Sequence, residues 1–284
     1  MRFILSLFFS VLLAASIARP DGVPVAPLPP ETLESGEQIF RVRNARIEIL
    51  VAPASDGMVS LRHLDGENVL SGPVTVLPFP LEIMESALPV VEGEDVPRWQ
   101  ARGWVTSENW QVVMLTQTFG PPVNMRVNQV ITLPADRGEV HWHTRMTSLS
   151  PSDLAATPAL TWPTPFQDNT HWRRAREDEE TVCDHWAEQA PPAAPFSAKT
   201  LASLGPGGLF QKWQSTWTVE DGAELTPRLR FKNRDATHDQ DPKYVWKAEL
   251  PDLMPPQGWT LVHDLKWSVR HAVEIDEICN FLTP

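Results

Sequence analysis

Residues 126–166, RVNQVITLPADRGEVHWHTRMTSLSPSDLAATPALTWPTPF, decide the fold class. Ile131 and Leu133 alternate with polar neighbours, and Ala135-Asp136-Arg137-Gly138 reverses the chain. From Val140 to Met146 the period is two. Val140, Trp142, Thr144 and Met146 point one way, and His141, His143 and Arg145 point the other. The turn Ser148–Asp153 then leads to a third run, Thr157–Trp162. The spacing predicts three antiparallel strands in a meander.

Outward from this stretch the same period repeats. Strands are predicted at Ile39–Arg43, Ala45–Val51, Met58–His63, Pro97–Ser107, Trp110–Phe119 and Met125–Leu133. They resume at Gly208–Val219, Leu225–Lys232, Lys243–Leu250 and Trp259–Val269. Prolines number 28 against 14 glycines, which suits a sheet protein with ordered loops. No segment holds helical periodicity for three turns. The expectation is one all-β antiparallel domain over residues 37–275, large enough to bury a real core. Residues 169–195 are charge-dense and then Pro-rich, and read as a short helix or a long surface excursion.

The ends differ from this domain. Arg2, the apolar run Phe3–Ile17 and the small-x-small site Ser16-Ile17-Ala18 read as a signal peptide over 1–18. The run is shorter than the ~20 residues that span a bilayer. A secreted or periplasmic protein follows as the expectation, with no membrane span once the signal is removed. Residues 19–36 are Pro-rich without an apolar face and read as a spacer; residues 276–284 read as a C-terminal tail. The formal charge of −12 argues against nucleic acid and anionic lipid as partners. An oxidising compartment permits a Cys183–Cys279 disulfide, and two separate buried thiols are the alternative.

Three segments carry a resemblance. They are VRNARIEILVAPASDGMVSLRHLDGENVL at 42–70, VNQVITLPADRGEVHWHTRMTSLSPSDLAATPALTW at 127–162 and YVWKAELPDLMPPQGWTLVHDLKWSV at 244–269. Their turns and strands resemble the galactose mutarotase-like superfamily, especially its uncharacterised exported members. The resemblance implies an antiparallel β-supersandwich whose concave face holds carbohydrate. It also implies a His that protonates the ring oxygen and a Glu that takes the anomeric proton, on opposite sides of one sugar carbon. At the place of that His this chain reads Ala159–Phe166, with Trp162 or Pro163 at the position. The Glu falls on Tyr244–Leu250, at Trp246 or Glu249.

The candidate site is therefore a carbohydrate groove rather than a mutarotase centre. His141, His143 and Arg145 form a polar row that would hydrogen-bond hydroxyls on a concave face, or be solvated on a convex one. Trp is abundant at 12 residues, and sugar rings stack on indole faces. Trp162, Trp213 and Trp246 are the candidates, with core packing the competing role of any Trp. Trp213 and Trp217 share a face, as do Trp259 and Trp267. Glu249, paired with His143 or His171, is the alternative acid–base reading, that of an epimerase or polysaccharide-processing enzyme. An envelope scaffold is the third reading. Asp168 with His171, Asp184 with His185, and the acidic turn Asp235, His238, Asp239 and Asp241 are weaker groupings. Within the run Val140–Met146 no acidic ligand completes the His141–His143 pair, so neither a metal nor a cofactor is expected. G-x-S-x-G, H-E-x-x-H and P-loop patterns are absent. The protein is expected to be a monomer.

Overall fold

A computed structural model describes residues 23–55, 57–64, 66, 68–88, 99–151, 155–164, 171–175, 183–187, 196–197, 200–204, 209–219, 222–233, 244–253 and 258–271. The strands in chain order are β1 Pro24–Pro27, β2 Glu31–Thr32, β3 Gln38–Arg43, β4 Ile47–Ala52, β5 Gly57–His63, β6 Thr75–Leu77, β7 Gln100–Thr106, β8 Gln111–Phe119, β9 Met125–Leu133 and β10 Glu139–Ser148. There follow β11 Ala159–Thr164, β12 His171–Ala175, β13 Cys183–Ala187, β14 Phe196–Ser197, β15 Thr200–Leu204, β16 Leu209–Val219, β17 Glu224–Leu225, β18 Arg228–Asn233, β19 Tyr244–Glu249 and β20 Thr260–His271. Among the described residues a short α-helix, α1 (Leu81–Ser86), and a 3-10 turn, Pro53–Ser55, break the pattern. All strand pairings among the described residues are antiparallel.

The large sheet has the order β1-β7-β8-β9-β10-β20-β16-β15-β12-β13, with β17 added on β16. A second sheet runs β14-β18-β19-β11-β6, and a third runs β2-β3-β4-β5. On β10 the alternation is as the sequence predicts. Val140, Trp142 and Met146 belong to the apolar core, and His141, His143 and Arg145 sit half-buried on the opposite face. The inner face of the large sheet packs against both smaller sheets. Trp162 of β11 stacks on Trp213 of β16 at 5.1 Å, and Gln129 of β9 donates to the Val76 carbonyl of β6 at 3.3 Å. The third sheet closes on β10 through Gly57, where a Cβ would lie 2.8 Å from the Val74 carbonyl oxygen and 2.9 Å from the Trp142 ring. One contiguous apolar core joins all three layers.

The meander prediction fails at its third strand. β9 and β10 pair as expected, but the other edge of β10 is taken by β20 over the whole run Glu139↔Ser268 to Thr147↔Thr260. β11 crosses into the second sheet, between β19 and β6. Its composition explains why. β20 is 12 residues long and offers a partner for nearly all of β10, whereas β11 has six residues and a proline at 163. β6 ends level with Thr161, so Pro163 meets a ladder neighbour on one side only, where a missing N–H is tolerated.

Two further differences lie at the sheet edges. The predicted spacer 19–36 contains β1, paired with β7, and β2, paired with β3. Edge pairing uses backbone groups and needs no apolar face, so Pro24 and Pro27 are compatible with it; Val23 and Val25 remain exposed. Within 169–195 the backbones of β12 and β13 form an antiparallel pair at the far edge of the large sheet. The signal peptide 1–18, the tail 276–284 and the acidic turn 235–242 lie outside the described residues. So does Cys279, and with it the Cys183–Cys279 pairing.

Gly57→Ala is expected to lower the free energy of unfolding by about 1–3 kcal/mol, because the new methyl group must displace both the Trp142 indole and the Val74 backbone. Urea denaturation checks this; an unchanged midpoint would mean that the third sheet does not press on Trp142.

Candidate functional site

The outer face of the large sheet brings together polar side chains of β10 and β20. Cross-strand register puts His143 of β10 beside Asp264 of β20, and His143 Nδ1 lies 2.7 Å from the Asp264 carboxylate. One row away, His141 pairs with Lys266. His141 Nε2 lies 3.5 Å from Glu139, and Lys266 Nζ lies 3.0 Å from the same carboxylate. Arg270 approaches Glu139 at 3.8 Å. Trp110, just before β8, meets the His141 ring edge-on at 6.3 Å. Arg145 lies level with Asn128 of β9 and Val262 of β20, and its guanidinium hydrogen-bonds nothing among the described residues. The face thus presents a carboxylate-held imidazole, an uncommitted guanidinium and a half-buried indole.

Burial pushes the Glu139 pKa up, but the hydrogen bond and charge of Lys266, followed by those of His141, outweigh it and hold it below the usual value. A depressed carboxylate stabilises the fold above its unfolded pKa, and that contribution is lost as pH falls through the folded value.

The inner face gathers the indoles. Trp162 and Trp213 stack on each other, and Trp267 meets Trp162 edge-on at 6.1 Å. Trp267 Nε1 donates to Gln211 at 3.1 Å. Trp217 stacks on His263 at 4.1 Å, and His263 Nε2 lies 2.9 Å from Ser215 Oγ. His263 is fully enclosed, and burial lowers its pKa to about 3, so the ring is neutral.

The sequence-predicted residues therefore divide among three surfaces. His141, His143 and Arg145 share the outer face of the large sheet. Trp162 and Trp213 are each 2% exposed and cover one another, so neither offers a free face to a sugar in this arrangement. Trp246 has its backbone opposite Trp162 in the β11–β19 pair. Glu249 lies on the outer face of the second sheet, bound to Lys247 at 2.6 Å. Its neighbour Ala248 points into the core, as does Leu160 of the adjoining strand. His143 and Glu249 thus stand on opposite outsides of the sandwich and do not form an acid–base pair. Asp264, Lys266, Glu139 and Trp110 were missed by the sequence reading. Their parity was visible, but the β10–β20 register that joins them to His143 was not. Among the described residues no three His, Cys, Asp or Glu side chains converge as metal ligands, and no helix is long and apolar enough to cross a membrane.

No protein-family model and no curated protein matches this sequence. Solved structures do match in fold. A candidate aldose 1-epimerase from Escherichia coli K12 aligns with 83% of this chain and 100% of its own, at 13% identity and a TM-score of 0.52. A protein from Synechocystis sp. PCC 6803 aligns with 88% of this chain and 99% of its own, at 10% identity and a TM-score of 0.50. A galactose 1-epimerase from Lactobacillus acidophilus NCFM covers 88% of this chain and 100% of its own, at 11% identity and a TM-score of 0.46. The chain has the galactose mutarotase-like fold, an all-β antiparallel supersandwich.

Glu139→Gln is expected to cost stability at neutral pH, and the gap to wild type should close as pH falls below the ordinary Glu value of 4.5. Thermal melts of both proteins across pH 3–7 check this. Parallel curves would show that Lys266 and His141 do not act on Glu139.

Proposed function

We propose that the protein is an exported carbohydrate-binding protein, secreted or periplasmic, that lacks the usual mutarotase histidine. The observation that carries this reading is the outer face of β10 and β20. There the His143–Asp264 couple, at 2.7 Å, stands on one sheet surface with the uncommitted Arg145 and the Trp110 indole. A sugar offers hydroxyls to such donors and acceptors and a C–H face to an indole. The carbohydrate-related fold supports the same ligand class. The place of the mutarotase His, Ala159–Phe166, contains none, and Trp162 there is sealed against Trp213.

A second reading, an epimerase with a different acid–base pair, draws on the same couple. A carboxylate that fixes an imidazole tautomer is also general-base equipment. The two readings separate by turnover.

A glycan array followed by titration calorimetry is expected to find a neutral or acidic sugar that binds. His143→Ala and Trp110→Ala should each weaken that binding about tenfold or more, the scale of one lost charge-assisted hydrogen bond or stacking contact. Polarimetry should show anomer exchange of the bound sugar at its uncatalysed rate. Accelerated exchange abolished by His143→Ala would favour the epimerase, and no binding to any glycan would end both readings.

A further inference from the structure

The inner face holds a polar row that the outer-face site does not use. Gln129 on β9, Thr144 on β10 and His263 on β20 are successive cross-strand partners at one level of the large sheet. All three are 0% exposed. Each has a polar atom that hydrogen-bonds nothing among the described residues: Gln129 Oε1, Thr144 Oγ1 and His263 Nδ1. The other ends of the long pair are tied down. Gln129 Nε2 donates to the Val76 carbonyl at 3.3 Å, and His263 Nε2 lies 2.9 Å from Ser215 Oγ with its ring flat on Trp217. Neither side chain turns away to find another partner without giving up the contact it has.

Unpaired buried polar atoms are rare in folded proteins because each forfeits the hydrogen bond it made to water. Three at one level of adjacent strands are rarer still. Thr144 directly opposes Gln129 on one side and His263 on the other, and such opposed residues have Cβ atoms about 4.5–5.5 Å apart, so a small molecule beside the Thr144 hydroxyl lies within a side chain's length of both neighbours. Such sites in globular proteins hold ordered water with about three partners.

We propose that this row encloses one water molecule, which donates to Gln129 Oε1 and to His263 Nδ1 and accepts from the Thr144 hydroxyl. His263 then carries its proton on Nε2 and donates it to Ser215 Oγ. The water ties the centre of β9, β10 and β20 together beneath the Trp217 ring and stands apart from the sugar face on the other side of the same strands.

Three measurements test the assignment. A high-resolution crystal structure should show a solvent peak about 2.7–3.2 Å from all three atoms; an empty space there overturns the proposal. Nitrogen-15 correlation spectra at neutral pH, with His263 assigned by comparison with His263→Gln, should show the Nε2–H form; an Nδ1–H form or an imidazolium overturns it. Thr144→Val should lower Tm by about 2–4 °C per kcal/mol lost, because the water loses a partner. In a dry row the same change removes an unpaired hydroxyl, so an unchanged or raised Tm overturns the water. If Thr144→Val does not fold, the two wild-type measurements decide.

Discussion

The pairing of β20 along both of its edges is the constraint on which the rest of the structure depends. The last described strand hydrogen-bonds β10 on one side and β16 on the other, and so joins a half-sheet built early in the chain to one built late. Side-chain period along a strand is two, so the three strands must agree in phase or every residue changes face. They do agree. Trp142, Leu265 and Ser215 share one inner row, and Val140, Trp267 and Trp213 share the next. Once that phase is set, the outer rows follow without further choice: His143 must meet Asp264, and His141 must meet Lys266.

This arrangement sorts the aromatic side chains by location rather than by residue type. The inner indoles of Trp142, Trp162, Trp213, Trp217 and Trp267 are nearly completely buried, and all but Trp142 pack on one another or on His263. A large buried ring contributes apolar area and specific edge and face contacts, so these five are the structural mass of the sandwich. Trp110, outside that mass, keeps part of its ring available beside His141. Abundance of Trp therefore says little about a sugar site until the sheets are assembled. The polar atoms sort the same way. Those of the outer face are paired with charge or open to solvent, whereas the inner row of Gln129, Thr144 and His263 keeps hydrogen-bonding capacity that the protein alone leaves unused.

Local pattern carried the strand assignments and the face of β10, because alternation and turn chemistry are properties of neighbouring residues. The hairpin Ala135–Gly138 was legible for the same reason, and Gly138 is needed there since a Cβ would lie 2.6 Å from the Val269 carbonyl oxygen. The resemblance of three segments was enough to name the supersandwich. What periodicity could not supply was partnership between distant strands. It set β11 beside β10, read β1 and β2 as a spacer, and left open whether His143, Trp162 and Glu249 face one pocket.

Apart from the short β2–β3 pair, those judgements concern residues tens to more than a hundred positions apart. Backbone groups of any strand pair equally well in principle, so the choice of partner rests on matched length, phase and the packing of whole faces. The amino-acid order of β10 states that His141, His143 and Arg145 share a side. Only the assembled sheets decide that this side is the outside, that Asp264 and Lys266 complete it, and that Trp162 is spent on Trp213, because burial and cross-strand register exist only once both sheets are in place.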